Sequence, residues 1–550
     1  VFPGSEPNRV SLSSPAIEPR DEVEEGDDLA MDGMQPPDVD GAGAEPPRDE
    51  PPVHHHELRT DHLLTNIGRR SVRGGVIMFS AQAVKVVAQF GSVVVLVRLL
   101  PPQDFGLIAM TAAIYALLDP IRDLGLSAAT IQKPDLAHDE VSTLFWINLG
   151  LGSLMAAALV VAAPLIADFY HQPPLIAVTR WLALGLVLNG FCSQHWALLR
   201  RQMRFGAVAG LETSAEMLSF VAAIVLAMAG AGYWALVAQR LVGPALIAPG
   251  CWVLCRWRPS RPAFAPGAKG LLSFGSSMAA TALISLFARS VDQVAVGWFW
   301  GPVSLGFYDR ATKLLISPLN QIMLPLYSIG MPALSRLSDD HERYRRGFRE
   351  ILEKLAMVTM PGAALIAVTA DWTTAVVFGP QWSAAAPLVA WFAVIAAFQP
   401  SLDTSGLLFL THVRAREFWR AGLIDAGLRV AAIAASLSFG ATAVAATLAL
   451  TGLFVRAPVG FWLATRRAPV GLGRLYRTLA PAALAACTAA LVVLALRHFV
   501  LPAGIAPLRG LAAAGPAGAI AILAVYGLVP DSRQALIGVW QRGRSLMSGT

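Results

Sequence analysis

Between residues 74 and 529 the chain is a succession of fourteen apolar runs, each near twenty residues: 74–97, 104–128, 141–167, 176–198, 207–229, 233–255, 271–298, 305–329, 353–378, 386–411, 421–438, 441–464, 478–500 and 508–529. At about 1.5 Å per residue, twenty helical residues cross the roughly 30 Å hydrocarbon core of a bilayer. Within that layer every backbone N–H and C=O has to be satisfied inside the protein, which leaves only helices or a closed barrel. Barrel strands need only about ten residues of alternating polarity, so continuous runs of this length read as helices. The expected fold class is an all-α polytopic membrane protein with about 14 transmembrane helices. Charge usage agrees: 15% of the 550 residues are charged, against about 25% in a soluble domain.

The loops between runs carry their basic residues unevenly. Placing the N-terminus in the cytoplasm puts Arg69, Arg70, Arg73, Lys133, Arg200, Arg201, Arg204, Arg256, Arg258, Arg261 and Lys269 inside. The 336–354 stretch, Arg414, Arg416, Arg420, Arg466, Arg467, Arg474, Arg477 and Arg533 fall on the same side. The opposite side keeps Arg98, Arg180, Arg310, Arg497 and Arg509. This is a positive-inside distribution, and an even number of spans returns the C-terminus to the cytoplasm. The pI near 9.3 therefore reflects orientation and gives no reason to expect nucleic acid as a partner. Residues 1–70 are rich in Pro, Gly, Asp and Glu and too poor in apolar groups to fold, so a disordered acidic cytoplasmic tail is expected there. Cys192, Cys251, Cys255 and Cys487 lie in or beside apolar runs without the His or Asp that a metal set would need, and read as small apolar fillers.

Charge inside the runs is what needs explaining. Ser277, Thr281, Ser285, Arg289 and Asp292 share one helical face. A turn, Trp300-Gly301-Pro302, follows, and then a second polar face with Arg310, Lys313, Ser317 and Asn320. Four such charges facing lipid would cost on the order of 10 kcal/mol. Both faces are therefore expected to line a shared wet path or to pair with each other. Arg289 and Asp292, three residues apart, also suit a mutual ion pair, and Arg310, near a helix start, also suits snorkelling to the interface. Asp425 and Arg429, at i and i+4, suit an intrahelical pair, and Glu212 and Glu216 suit interfacial solvation.

Shifting the chain by 200 residues aligns Gly75 with Gly275, Met78 with Met278, Pro102 with Pro302 and Gly106 with Gly306. The polar face Lys85, Gln89 and Ser92 then meets Ser285, Arg289 and Asp292. Six spans separate the copies, so they are parallel repeats related by an axis along the membrane normal. The expected organisation is a six-helix bundle over 71–265, a second over 266–468, an additional helix pair over 469–532, and a cytoplasmic tail over 533–550. The two bundles would surround a central cavity.

Three stretches resemble the polysaccharide transporter group of the multidrug/oligosaccharidyl-lipid/polysaccharide exporter superfamily, the flippases of colanic-acid, exopolysaccharide and O-antigen type. They are Arg289-Ser290-Val291-Asp292-Gln293 with Gly301-Pro302-Val303-Ser304-Leu305-Gly306-Phe307-Tyr308; Asp123-Leu124-Gly125-Leu126 with Gln132; and Phe378-Gly379-Pro380-Gln381-Trp382. The resemblance covers about 72–530. It implies alternating access in the bacterial inner membrane and a substrate carried on undecaprenyl diphosphate: an oligosaccharide repeat unit, an anionic diphosphate and a long apolar tail. Lys85, Arg122, Arg289, Arg310 and Lys313 would pair with the diphosphate. Gln89 would lie on the same cavity face as Lys85, and Tyr115, on a face with Thr111, Asp119 and Arg122, would suit sugar.

No cofactor is expected, and no Gly-x-x-x-x-Gly-Lys-Ser/Thr loop points to ATP. A proton or sodium gradient is the expected driving force, with Asp292 the first candidate for the coupling carboxylate and Asp119 the second. The expected partners are the lipid-linked oligosaccharide, the bilayer, and the polymerase and export machinery of the same pathway. A lipid II flippase and a cation-coupled drug antiporter of the superfamily are the alternatives. An enzyme is not expected, since the outer loops, such as 230–233 and 439–442, are too short to carry a catalytic domain.

Overall fold

The computed structural model describes residues 67–133, 136–262, 268–502, 504–530, 532–534 and 541. The acidic tail up to residue 66 and most of the C-terminal tail lie outside them. Among the described residues the regular structure is all helical. The first half comprises α1 (Ile67–Leu99), α2 (Pro102–Asp123), the short α3 (Leu126–Gln132), α4 (His138–Tyr170), α5 (Leu175–Arg201), α6 (Phe205–Met228) and α7 (Tyr233–Leu254). The second half opens with α8 (Ala268–Ser335) and continues through α9 (His341–Val368), α10 (Ala370–Val377), α11 (Ala386–Ser405), α12 (Leu407–Leu410), α13 (Ala415–Ser436), α14 (Ala441–Thr451) and α15 (Ala457–Thr465). A last pair, α16 (Leu472–Ala495) and α17 (Pro507–Leu528), follows.

Of the fourteen runs read from the sequence, twelve coincide with helical segments long and apolar enough to cross a bilayer, six before α8 and six after it. The runs at 271–298 and 305–329 occupy the two limbs of α8, which carries Asp292, Asp309, Arg310 and Lys313. The limbs are separated at Gly301, whose φ of 75° and ψ of −176° lie where side chains with a Cβ are strained. Pro302 follows, suited to a first helical turn because the N–H it lacks would have no partner there. Across the turn the Tyr308 hydroxyl donates to Asp292 at 2.8 Å, and Asp292 also accepts from the Gln293 N–H at 2.9 Å. The hairpin is thus clipped through a buried carboxylate.

The two halves meet where α2 and the second limb of α8 cross, and the crossing is reciprocal. A Cβ on Gly106 would stand 1.8 Å from the Pro302 carbonyl oxygen, and one on Gly306 would stand 2.0 Å from that of Pro102. These are the residues that the 200-residue shift superposes, so the contact is what a two-fold axis between repeats produces. Around it, the Gln381 amide donates to the Val97 carbonyl at 2.7 Å, and the Trp382 indole donates to the same oxygen at 2.8 Å. Phe105 and Phe307 both meet the Trp382 ring edge-on, at 5.4 and 5.5 Å between centroids. Backbone carbonyls of one half are therefore capped by side chains of the other.

In the last pair, α16 packs on α9, and the Tyr526 hydroxyl of α17 donates to the Met357 carbonyl at 2.8 Å. Asp371 takes a two-point contact from Arg497, whose guanidinium lies 4.7 Å from the Trp372 ring centroid. Cys192, Cys251 and Cys255 are buried and Cys487 is exposed, and the four are not joined in disulfides.

Candidate functional site

Charged side chains converge along the seam between the two halves. On the second limb of α8, Asp309 is buried and accepts from Arg310 at 2.6 Å and from Lys313 at 2.8 Å. Lys313, one helical turn on, keeps 35% of its side chain accessible. Arg310 reaches across to α2, with its guanidinium 4.6 Å from the centre of the Phe105 ring. Desolvation strengthens such a cation–π contact, and only 12% of the Arg310 side chain is exposed.

The first half contributes α1, α6 and α7. Lys85 on α1 binds Glu212 on α6 at 2.6 Å, and Arg200 approaches the other Glu212 oxygen at 3.5 Å. Arg240 on α7 is exposed, although it stands eight residues into an apolar helix, and lies within electrostatic reach of Asp309, Arg310, Tyr115 and Glu216. Gln82 on α1 donates to Gln321 on α8 at 3.2 Å, joining the halves further along the same seam. Four cations, Lys85, Arg240, Arg310 and Lys313, thus face three carboxylates, Glu212, Glu216 and Asp309, and the seam leans basic. Basic groups with accessible edges, backed by apolar helices, suit an anion with several acceptor oxygens.

Residues 95–387 match the family described as polysaccharide biosynthesis protein. The chain belongs to that family. Among relatives, the teichuronic acid biosynthesis protein TuaB of Bacillus subtilis (strain 168) is 27% identical over 311 residues, covering 55% of this chain and 64% of TuaB. The lipopolysaccharide biosynthesis protein WzxC of Escherichia coli (strain K12) is 25% identical, covering 61% of this chain and 69% of its own length. The succinoglycan biosynthesis transport protein ExoT of Rhizobium meliloti (strain 1021) is 24% identical, with 55% and 61% covered. The matched region is thus about two thirds of each relative's length. Among solved structures, the lipid II flippase MurJ in an inward closed conformation superposes with a TM-score of 0.65 at 11% identity, over 83% of this chain and 98% of MurJ. An inward-facing multidrug resistance MATE family transporter of the MOP superfamily gives 0.53 at 14% identity, over 73% and 99%. At these identities the likeness is one of fold.

Against this family fold, the residues singled out from sequence separate into groups. Lys85, Arg310 and Lys313 lie at the seam, each already bonded to a carboxylate. Gln89 is exposed on α1. Tyr115 turns toward α5, accepting from the Asn189 amide at 3.3 Å while staying within reach of Arg240. Arg122 is buried at 8% exposure in the first half, its Cγ beside Gly152 of α4, and does not join the accessible cations. Asp123, its neighbour, accepts from Ser127 at 2.6 Å and Ser193 at 2.9 Å. The side chains of Arg289 and Asp119 lie outside the described residues.

Two pairings differ from those expected. Asp425 is held by Arg456, at 2.7 and 3.0 Å, and not by Arg429 one turn away. The five residues Gly452–Arg456 form a π turn between α14 and α15. The extra residue in that turn rotates Arg456 inward toward α13, which helical spacing alone does not anticipate. Glu212 is the Lys85 partner and not a freely solvated interfacial acid. Sequence reasoning missed Arg240 altogether, although a lone arginine well inside the 233–255 run carries the same signal that singled out Lys85. It also passed over Asp309, reading Tyr308-Asp309-Arg310 as a helix start when the aspartate is the hub of the cluster.

Proposed function

We propose that the chain is a flippase that moves undecaprenyl-diphosphate-linked oligosaccharide repeat units from the cytoplasmic to the periplasmic leaflet for exopolysaccharide or lipopolysaccharide synthesis, by alternating access between its two halves. The observation that carries this reading is the basic seam of Arg240, Lys313, Arg310 and Lys85, with Arg240 exposed and Lys313 partly so, in a chain of this family. A diphosphate offers the bidentate oxygens that guanidinium groups bind best, while its lipid tail stays in the bilayer. The matched relatives, named for teichuronic acid, lipopolysaccharide and succinoglycan biosynthesis, support polymer precursors as the cargo class. A seam with more cations than carboxylates argues against a cationic drug. The fold shared with MurJ keeps lipid II as the second reading, since its head group is also a diphosphate.

In this reading the Pro102 and Pro302 ends face the periplasm and both termini face the cytoplasm, as the basic loops require. Polymerase and export proteins of the pathway would receive the product, and a proton or sodium gradient would drive the cycle. A deletion strain is expected to accumulate one lipid-linked glycan in the cytoplasmic leaflet. Restoration by the wild-type gene but not by Arg240→Ala or Lys313→Ala, with both variants inserting normally, would support the reading. Full export by both variants would sink it.

A further inference from the structure

Beside the Gly301 turn a groove of about 320 Å³ opens between the two halves. Its floor is one face of the first limb of α8, with Ser290, Val294 and Trp298 at successive four-residue steps. Its walls are Phe169, near the end of α4, and Leu437, just past α13, and no polar atom contributes to its exposed surface. The floor is solid. On the other side of the helix Asp292 and Val296 are buried, and a Cβ on Gly297 would stand 3.2 Å from the Tyr170 ring of α4. Each wall is tied to the hairpin of α8: Phe169 stacks on Trp298 at 6.1 Å between centroids, and the Trp300 indole donates to the Leu437 carbonyl at 2.7 Å. One wall therefore belongs to the first half, while the floor and the other wall belong to the second.

We infer that this groove seats one acyl chain of a membrane phospholipid, and that the chain joins the halves at the end where they are closed. Phe169 continues a stripe with Val161 and Leu165, four residues apart and all exposed on α4, and Leu437 continues one with the exposed Leu423 and Val430 of α13. In a chain that spans a bilayer such apolar stripes face hydrocarbon, so the groove opens onto lipid. Its walls offer no partner to a head group or to water, and apolar cavities of this kind stay dry and take apolar guests. Its length fits a single leaflet: eight residues from Ser290 to Trp298 rise about 12 Å, against roughly 15 Å for half of the hydrocarbon core. At about 30 Å³ for each water-sized group it holds roughly ten carbons, and a chain of that many spans the same length. The run Trp298-Phe299-Trp300 marks the interfacial end, as aromatic belts do, and places the head group beyond the groove. A polyprenyl tail is far longer and would leave most of itself outside. Lipid gains little by exchanging lipid neighbours for apolar side chains, so close packing holds the chain, and an unfilled groove would forfeit it. Parting of the halves would carry Phe169 away from Trp298 and Leu437. The chain therefore binds the closed arrangement better and shifts the protein toward it. None of this depends on what the charged seam carries.

The test puts the photoreactive residue p-benzoylphenylalanine in place of Trp298 in the full-length protein, with the same residue in place of Val161, exposed on α4, as the comparison. Protein extracted from membranes and washed in detergent is irradiated, and the adduct is identified by mass spectrometry. The Trp298 site is expected to keep a phospholipid adduct at least about tenfold above the Val161 site, because the groove holds its lipid through the wash. Val294→Trp and the milder Ala295→Leu fill the groove themselves and should abolish the adduct in protein that still purifies folded. Hydrogen exchange reads the closure. Stripping lipid should speed exchange in the first turns of α2 and of the second limb of α8 by about fivefold, the low end of coupling between sites. Palmitoyl-oleoyl phosphatidylethanolamine should restore slow exchange in the wild type and change nothing in Val294→Trp. A polyprenyl adduct, equal adducts at the two sites, or exchange that ignores lipid would each overturn the inference and leave the diphosphate reading untouched.

Discussion

Gly106→Ala tests the reciprocal crossing most directly, because the structure gives the size of the perturbation. The added methyl would begin 1.8 Å from the Pro302 carbonyl oxygen, whereas a carbon and a carbonyl oxygen rest at about 3.3 Å even in a close C–H···O contact. The obstacle is backbone, so rotamer changes give no relief, and α2 and α8 have to part by roughly 1.5 Å at that point. Overpacking of this kind costs about 1–3 kcal/mol, which is a shift of about 5–150-fold away from the closed crossing. Hydrogen exchange followed by mass spectrometry, on peptides covering the first turns of α2 and of the second limb of α8, reads that shift as faster exchange. Gly306→Ala, whose methyl would begin 2.0 Å from Pro102, should accelerate the same two peptides. The double variant should fall short of the summed effect, because either methyl opens the same contact. Gly91→Ala on α1, where a Cβ meets nothing within 4 Å, is the control. If Gly106→Ala and Gly91→Ala exchange alike, the crossing is not what holds the halves together at this end.

Three further outcomes follow from the same contacts. Trp382→Ala removes a fully buried ring and the donor to Val97 and should cost about 3–5 kcal/mol of stability in detergent melts, whereas Trp382→Phe, keeping most ring contacts, should lose about 1 kcal/mol. Asp425→Ala leaves the Arg456 guanidinium buried without its carboxylate and should destabilise by about 3 kcal/mol; adding Arg456→Met should recover most of that, and a purely additive double variant would refute the pairing. Asp340 caps α9 by accepting from the Glu342 and Arg343 N–H groups, and those bonds hold its carboxyl below the usual carboxylate range. The cap is then fully present above the ordinary carboxylate pKa and is lost as pH falls through the lowered value. Exchange at the Glu342 and Arg343 amides should be slow at neutral pH, accelerate in strong acid after correction for intrinsic rates, and be fast at both in Asp340→Ala.

How far the site was legible follows from what helical spacing encodes. A period of 3.6 residues decides which side chains share a face, and that was enough to find Lys85, Arg310 and Lys313. It does not decide what a face meets. The Lys85 partner is Glu212, 127 residues away, and Asp425 reaches Arg456 only because a π turn rotates the arginine inward. Asp292, read as a coupling carboxylate, accepts across its own hairpin from Tyr308, a contact that depends on how the turn at Gly301 folds back.

The internal repeat carried more information than its matched residues first suggested. Equivalent residues of two repeats can touch each other only near the axis that relates them; farther out, each meets something different. A Cβ on Gly75 meets nothing within 4 Å, whereas Gly106 and Gly306 each stand against the proline that begins the other's helix. The four superposed residues Pro102, Pro302, Gly106 and Gly306 therefore mark where the axis passes, and the small side chains there are a requirement of that contact. A pair of glycines matched by the repeat, each four residues after a matched helix-opening proline, is in this sense a sequence record of the interface between the halves. The charged seam lacks such a record because the axis imposes no identity on it: the shift that superposes Gly106 on Gly306 sets Val225 against Asp425 and Gly440 against Arg240. Symmetry explains why the halves meet where they do, and away from the axis it leaves a charge such as Arg240 in one half with a glycine, Gly440, as its counterpart in the other.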